Sequence, residues 1–414
     1  MEQLKHDGKK KPSARSDQDK QKRVYFDWAA SSPDNTYNSF SFLDKEIFRT
    51  GFANPSSSMH LEGRSAKKIL EESRERCAAV LKVPPETLYF TSGGTESNSI
   101  ALLSNLTRPG KGRIISSQAE HASVRDAMLT LEKMGKPTGN IPVDSSGKVT
   151  PASLSKTLEK YGDVRFISVM SVNNETGVVT DIASLSNEIK KYREYSADSA
   201  SSLKNPVHFH CDMVQAAGKI KIDIDGWDID SASISAHKIQ GPRGIGLLYA
   251  KKPLNVFYSG GGQENGVRGG TENVYGAFAL ADCLEKYASS AETEYQNAKT
   301  RIKKLITSLC AMKRCVLIPK SRLADDDNFS PYILQAAFKD IPGEVMARAL
   351  DDLGFAVSTG SACSSSSPER PVLIAMGVEE NLRIEGIRIS QGHTTTDKDI
   401  DLLTGAVNEV LKFL

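Results

Sequence analysis

The sequence predicts an α/β protein: a large domain on a mostly parallel sheet covered by helices, joined to a smaller α+β domain. Three observations predict it. Short apolar runs alternate with helical stretches up to about residue 250, the pattern changes after Thr271, and 414 residues exceed what one simple core carries.

The elements follow in order. VYFDWAASSPDN, from Val24, reads as a short strand and turn, and Asn54–Ser58 as a loop. Residues 60–82 have a helical pattern, with Ile69, Leu70, Cys77, Val80 and Leu81 apolar, and stop before Pro84-Pro85. Leu88-Tyr89-Phe90 is a strand, followed by TSGGTESN and the helical SIALLSNL. Arg113-Ile114-Ile115 is a strand and AEHASVRDAMLTLEKMG a helix. VRFISVMSVNN is a buried strand and DIASLSNEIKKYREY a helix. VHFHCD, DSASISAHK and GIGLLYA are further strands. Residues 272–312 read as one or two long helices ending near Cys310. The remainder mixes the strands YILQAAF, FAVST and GIRIS with the helices GEVMARALDDLG and DIDLLTGAVNEVLKF. The run Ser364–Ser367 reads as a mobile loop.

Composition narrows the function. Hydrophobic residues make up 39% and charged residues 25%, the range of a soluble globular chain. A net charge of +2, with no basic stripe carrying aromatics, argues against direct nucleic-acid binding. No apolar run is long enough to span a membrane, and the N-terminus lacks the apolar core of a signal peptide. Residues 1–23 hold eight Lys/Arg against four Asp/Glu and little that can be buried, so they are expected to form a disordered tail. The six cysteines form no CxxC pair and suggest neither a disulfide framework nor a zinc site. Reduced thiols fit a cytoplasmic protein.

In a parallel sheet, ligands bind beyond the carboxyl ends of the strands, so the residues there are the site candidates. After Phe90 comes Thr91-Ser92-Gly93-Gly94-Thr95-Glu96-Ser97-Asn98, opening a helix. Two glycines and a helix N-terminus suit an anion, although a plain capping turn looks the same. Asp212, then Gln215, follow VHFHC. An acid there suits a cationic ring nitrogen; His208, His210 and Asp212 also share a strand face, which raises a metal reading, against which the rest of the chain argues. Lys238 follows DSASIS, where an amine is paired or chemically used unless it simply reaches solvent. Anion cradle, acid, then lysine is the order that a pyridoxal 5'-phosphate (PLP) site needs.

With these residues in view, the chain resembles the NifS/IscS-like cysteine desulfurases, on the PLP-dependent transferase (aspartate aminotransferase-like, class V) fold. The resemblance runs from Tyr25 to about residue 402 through FDWAASSP, FTSGGTESN, AEHASV, SVNNETGVV, FHCDMVQAAGK, SISAHKIQGPRGIG, GGGQENGVRGGTEN and STGSACSSSS. It implies a seven-stranded sheet in a large domain over 45–285, and a small domain made of 24–44 and 286–414 that carries Cys363. It implies that Lys238 is the Schiff-base lysine, that Asp212 pairs with the pyridine nitrogen and that Gln215 approaches the phenolic oxygen. His121 stacks on the ring and helps proton transfer, while Gly94, Thr95, Ser235 and His237 hold the phosphate. Thr271 serves the cofactor of a second subunit, which implies a homodimer. Asn174 and Arg388 hold the carboxylate of L-cysteine, and Cys363 is the nucleophile that becomes a persulfide. No metal is implied. A protein sulfur acceptor is, either an iron–sulfur scaffold or a thiolation protein. The GSACSSSS run resembles the subgroup with a long, flexible cysteine loop. The sequence ends at Leu414, short of the longer C-terminal tail with which IscS-type members dock a scaffold. His393 stands where many relatives have an arginine, and Met213-Val214 replace smaller residues. The alternatives are a selenocysteine lyase or another class V PLP enzyme, and a non-catalytic sulfur-trafficking scaffold, against which Lys238, Asp212, His121 and Cys363 argue together.

Overall fold

The computed structural model describes residues 23–34, 51–198, 206–258, 260–322, 327–360 and 370–414. The tail up to residue 22, residues 35–44 of the small-domain segment, the Ser364–Ser367 run and Cys363 lie outside the described residues.

The chain enters through β1 (Val24–Tyr25) and reaches α1 (Leu61–Leu81). His60 caps α1, its Nδ1 accepting from the amide of Gly63, and Lys82 ends it in the left-handed region at φ 56°. Then follow β2 (Leu88–Thr91), α2 (Gly94–Leu103), β3 (Arg113–Ser117), α3 (Ala122–Lys133), β4 (Thr138–Ile141), α4 (Pro151–Tyr161), β5 (Val164–Met170) and α5 (Ile182–Asp198). β6 (His208–Asp212), β7 (Ser231–Ser235) and β8 (Gly246–Ala250) complete a seven-stranded sheet in the order β2-β8-β7-β6-β5-β3-β4. β8 is antiparallel to both its neighbours, and the other pairings are parallel.

Alternation along these strands feeds two cores. Phe90, Ile115, Ile167, Phe209, Ile234 and Leu247 pack with residues of α1, α4 and α5. Tyr89, Ile114, Phe166 and Leu248 point the other way, onto α2 and α3. Burial on both faces explains why the strands read as continuous apolar runs rather than alternating ones.

Helix α6 (Val274–Cys310) is a single 37-residue helix, which resolves the expectation of one or two. Its first half, with Leu280, Leu284 and Tyr287, belongs to the sheet's core. Its last turns, with Ile302, Leu305 and Leu309, belong to a second core. That core also contains Phe26, residues of α7 (Gly343–Asp352) and α10 (Asp397–Phe413), and strands of an antiparallel sheet ordered β12 (Gly386–Ser390), β10 (Ile333–Phe338), β9 (Cys315–Ile318). The second strand read near residue 355 is only β11 (Phe355–Ala356), which pairs with β1 in parallel. Short helices α8 (Pro371–Ala375) and α9 (Glu380–Glu385) precede β12. Among the described residues, no helix is long and apolar enough to cross a membrane.

Candidate active site

The carboxyl ends of the parallel strands open on a cavity of about 410 Å³. Gly94, Thr95, His121, Asn174, Asp212, Gln215, Ser235, His237, Lys238 and Arg388 all line it, so ten of the twelve residues expected there come together. Thr271 lies outside this cavity on an exposed segment, and Cys363 lies outside the described residues.

The cradle is built from backbone. Gly93 adopts φ 151°, ψ −178°, a region open essentially to glycine alone, and a Cβ on Gly94 would lie 2.5 Å from Val214 Cγ2. The chain therefore turns sharply from β2 into α2 and presents helix N-terminal amides to the cavity, beside Ser235 and His237. Burial, then the charges of Lys238, Lys219 and Arg243, pushes His237 down to about 3, so a neutral imidazole sits there.

Asp212 ends β6 and is 3% exposed. Its Oδ2 accepts from Asn98 Nδ2 at 2.8 Å and its Oδ1 from the amide of Val214 at 2.9 Å. Asn98 is held in turn by His210, whose Nε2 lies 3.0 Å from Asn98 Oδ1 and whose Nδ1 lies 2.8 Å from Ser231 Oγ. His208 stacks on Phe166 with ring centroids 4.8 Å apart. Both histidines thus have partners in the sheet, and burial pushes His210 down to about 3. Glu120 is fully buried; burial first, and the Asp212 charge second, push its carboxyl up to about 8. Glu120 is therefore protonated at neutral pH.

His121 caps α3, its Nδ1 accepting from the amide of Ser123 at 3.1 Å. That bond puts the proton of the neutral ring on Nε2. Burial lowers its pKa, with Lys238 and Arg125 adding and Asp212 opposing. Lys238 follows β7 in a tight turn, and its Nζ donates to the carbonyls of Ala29 and Ala30, each at 2.7 Å.

On the opposite wall, Arg388 is 1% exposed and donates to the carbonyl of Asn174 at 2.9 Å and to Asp27 Oδ1 at 2.7 Å. Arg388 Nε and Asn174 Oδ1 are buried with no hydrogen-bond partner. A buried cation with a spare donor, beside an amide with a spare acceptor, suits a small zwitterion. Ser358 and Arg388 exchange backbone hydrogen bonds, which brings the strand leading to residue 360 against this wall. Arg370 donates to the carbonyl of Gly386 at 2.7 Å.

Asn98 and Arg243, which line the cavity, and Glu120 and Lys219, which lie behind it against Asp212 and Gln215, were missed by sequence reading. Asn98 was inside a quoted motif, one helical turn beyond Gly94, and that spacing was the available signal.

An anion cradle, a buried carboxylate and an amine at the ends of parallel strands define a cofactor-dependent enzyme of the α/β class. The chain belongs to the class-V aminotransferase family, whose model matches residues 24–403. Cysteine desulfurase IscS of Dictyoglomus turgidum is 35% identical over 409 residues, which cover 95% of each protein. A solved NifS-like protein superposes with a TM-score of 0.82 at 30% identity, covering 95% of this chain and 100% of its own. The structure of SspA in complex with cysteine gives a TM-score of 0.72 at 28% identity, covering 88% and 98% of the two chains. Enzymes of this family depend on PLP, and the cradle, carboxylate and amine lining the cavity fit that cofactor.

Proposed function

We propose that this protein is a PLP-dependent cysteine desulfurase that takes sulfur from L-cysteine onto Cys363 as a persulfide and releases L-alanine. The observation that carries this reading is the gathering of Lys238, Asp212, His121 and the Gly93-Gly94 cradle on one cavity that Arg388 closes. The likeness to a NifS-like protein and to a protein solved with cysteine supports the substrate.

When bound, PLP supplies an electron sink for the charge left at the substrate's Cα. Lys238, which lines the cavity, would hold the cofactor and move the Cα proton. Asp212, oriented by the hydrogen bonds from Asn98 and the Val214 amide, would pair with the ring nitrogen. Gly94, Thr95, Ser235 and His237 grip the phosphate, and Gln215 approaches the phenolic oxygen. His121 covers the ring and carries its own proton on Nε2. Arg388 holds the substrate carboxylate with an Nε that lacks a partner, and Asn174 donates to it from its side-chain NH2. Cys363 is five residues beyond Ser358, which pairs with Arg388, so the chain spans at most roughly 18 Å to bring the thiol to the substrate sulfur.

In this reading the protein works as a homodimer in the cytoplasm, with Thr271 reaching the phosphate held by a second copy. Its exposure and its place outside this chain's own cavity support that. The large domain is 45–285, and the small one is 24–44 with 286–414. The two cores that share α6 support this division. The persulfide sulfur passes to a protein acceptor, an iron–sulfur scaffold or a thiolation protein.

Cys363→Ala tests the persulfide. Sulfide release from cysteine is expected to collapse by orders of magnitude, while selenium release from selenocysteine, which needs no thiol acceptor, persists. Cysteine turnover that survives the substitution contradicts the mechanism.

A further inference from the structure

A second lysine lies buried behind the cavity. Lys219 is 6% exposed, and its Nζ donates to Gln215 Oε1 at 3.0 Å. On the other side of the same amide, Gln215 Nε2 donates to the carbonyl of Ala29 at 2.9 Å. That carbonyl also accepts from Lys238 Nζ, so one chain of hydrogen bonds joins the two lysines through Gln215.

The turn from Asp212 to Lys219 is shaped to tuck the amine inward. Gly218 sits at φ +72°, where a Cβ would lie 2.9 Å from Tyr287 Cβ. The Lys219 amide closes the turn onto the carbonyl of Ala216 at 2.9 Å. The long, flexible stem of a lysine commonly carries its ammonium out to water; this one stays buried.

The consequence is directional. A protonated lysine only donates and a backbone carbonyl only accepts. Turned over, the Gln215 amide would set oxygen against oxygen at Ala29 and nitrogen against nitrogen at Lys219, losing both bonds. We propose that Lys219 is a positioning residue that locks the Gln215 amide with its NH2 edge, and not its carbonyl, available to the cavity. Gln215 is thereby a hydrogen-bond donor to the cofactor's phenolic oxygen. This rests on the PLP reading above.

Lys219 also faces Lys238 and Arg388, and burial, with those charges adding, pushes it down to about 7. Its charge is felt in turn by His237 and His393. The neutral amine keeps a hydrogen for Gln215 Oε1 but can also accept, so in that form the Ala29 carbonyl alone fixes the direction of the amide.

The test is the pH midpoint of the visible band of the PLP-loaded protein, in Lys219→Met, Gln215→Met and the double variant. A donor at the phenolic oxygen favours its anionic form. Loss of a fixed donor is expected to raise the midpoint by roughly 0.4–1 pH unit in Lys219→Met. In the Gln215→Met background the same lysine substitution is expected to add nothing, because the coupling runs through the amide. Lys219→Gln, one atom too short to keep the bond yet still polar, is expected to match Lys219→Met and replaces it if the methionine variant does not fold. An unchanged midpoint in the single variant overturns the proposal. So does an equal rise in both backgrounds, which assigns the effect to the lysine's charge alone. Wild-type protein that shows no visible band with PLP sinks the cofactor reading instead. A band without cysteine turnover leaves the lock standing.

Discussion

Five histidines, His121, His208, His210, His237 and His393, have pKa values lowered in the fold, with burial the largest cause in each. Each is neutral inside and takes up a proton when the chain unfolds, so its contribution is full above the ordinary histidine value and fades as pH falls. Glu120, Glu175, Asp230 and Glu272 are raised by burial and act in the opposite sense between pH 4.5 and neutrality, but they are fewer. Unfolding of the cofactor-free protein between about pH 6 and 4.5 is therefore expected to take up protons on balance, so stability falls as the pH falls through that window. Urea unfolding at pH 6.5 and 5.0 reads this directly, and equal stability at the two pH values contradicts it. These same residues mark how far the site could be read from sequence. Asp212, Lys238 and the Gly93-Gly94 turn stand out because each follows an apolar run that ends abruptly. Lys219 and Glu120 do not, because nothing in a one-dimensional pattern distinguishes a buried amine or carboxyl from one in water.

At the scale of elements, the segment from Gly260 to Asn273 is held to the sheet by one buried ion pair. Arg74 of α1 donates from Nη1 and Nη2 to the two oxygens of Glu264, each at 2.8 Å, and the amide of Phe90 adds a bond at 2.7 Å. Glu264 is 1% exposed at its side chain. The pair ties the glycine-rich segment that carries Thr271 to the strand that opens the cradle. Arg74→Met leaves a carboxylate buried without its cation and is expected to cost about 3–5 kcal/mol. A denaturation midpoint within experimental error of wild type contradicts that. Strands with continuous apolar runs were legible in sequence, as were helices with clear faces. β4 was not: Thr138-Gly139-Asn140-Ile141 pairs on one side only, with β3, and offers a single fully buried residue. α4 escaped for a similar reason, since it buries only Leu154, Thr157 and Leu158, although the Thr150–Ser153 capping box and Pro151 were signals to be used.

Across the whole molecule, the site depends on segments far apart in the chain. Ala29 and Ala30 receive Lys238, and Asp27 receives Arg388, so the stretch after β1 joins the sheet's cavity to the second core. Order in the sequence announced the large sheet, because strand and helix alternate there. The three-stranded sheet of the second core was harder to see, because β9 is short, only partly buried at Cys315 and Val316, and recognisable only beside β10. The central claim concerns chemistry that this assembly performs as a unit. Purified protein loaded with PLP should show a visible cofactor band and, given L-cysteine and a reductant, yield sulfide and alanine in equal amounts. A band without sulfide would contradict the desulfurase reading and move the assignment to selenocysteine cleavage or amino-group transfer.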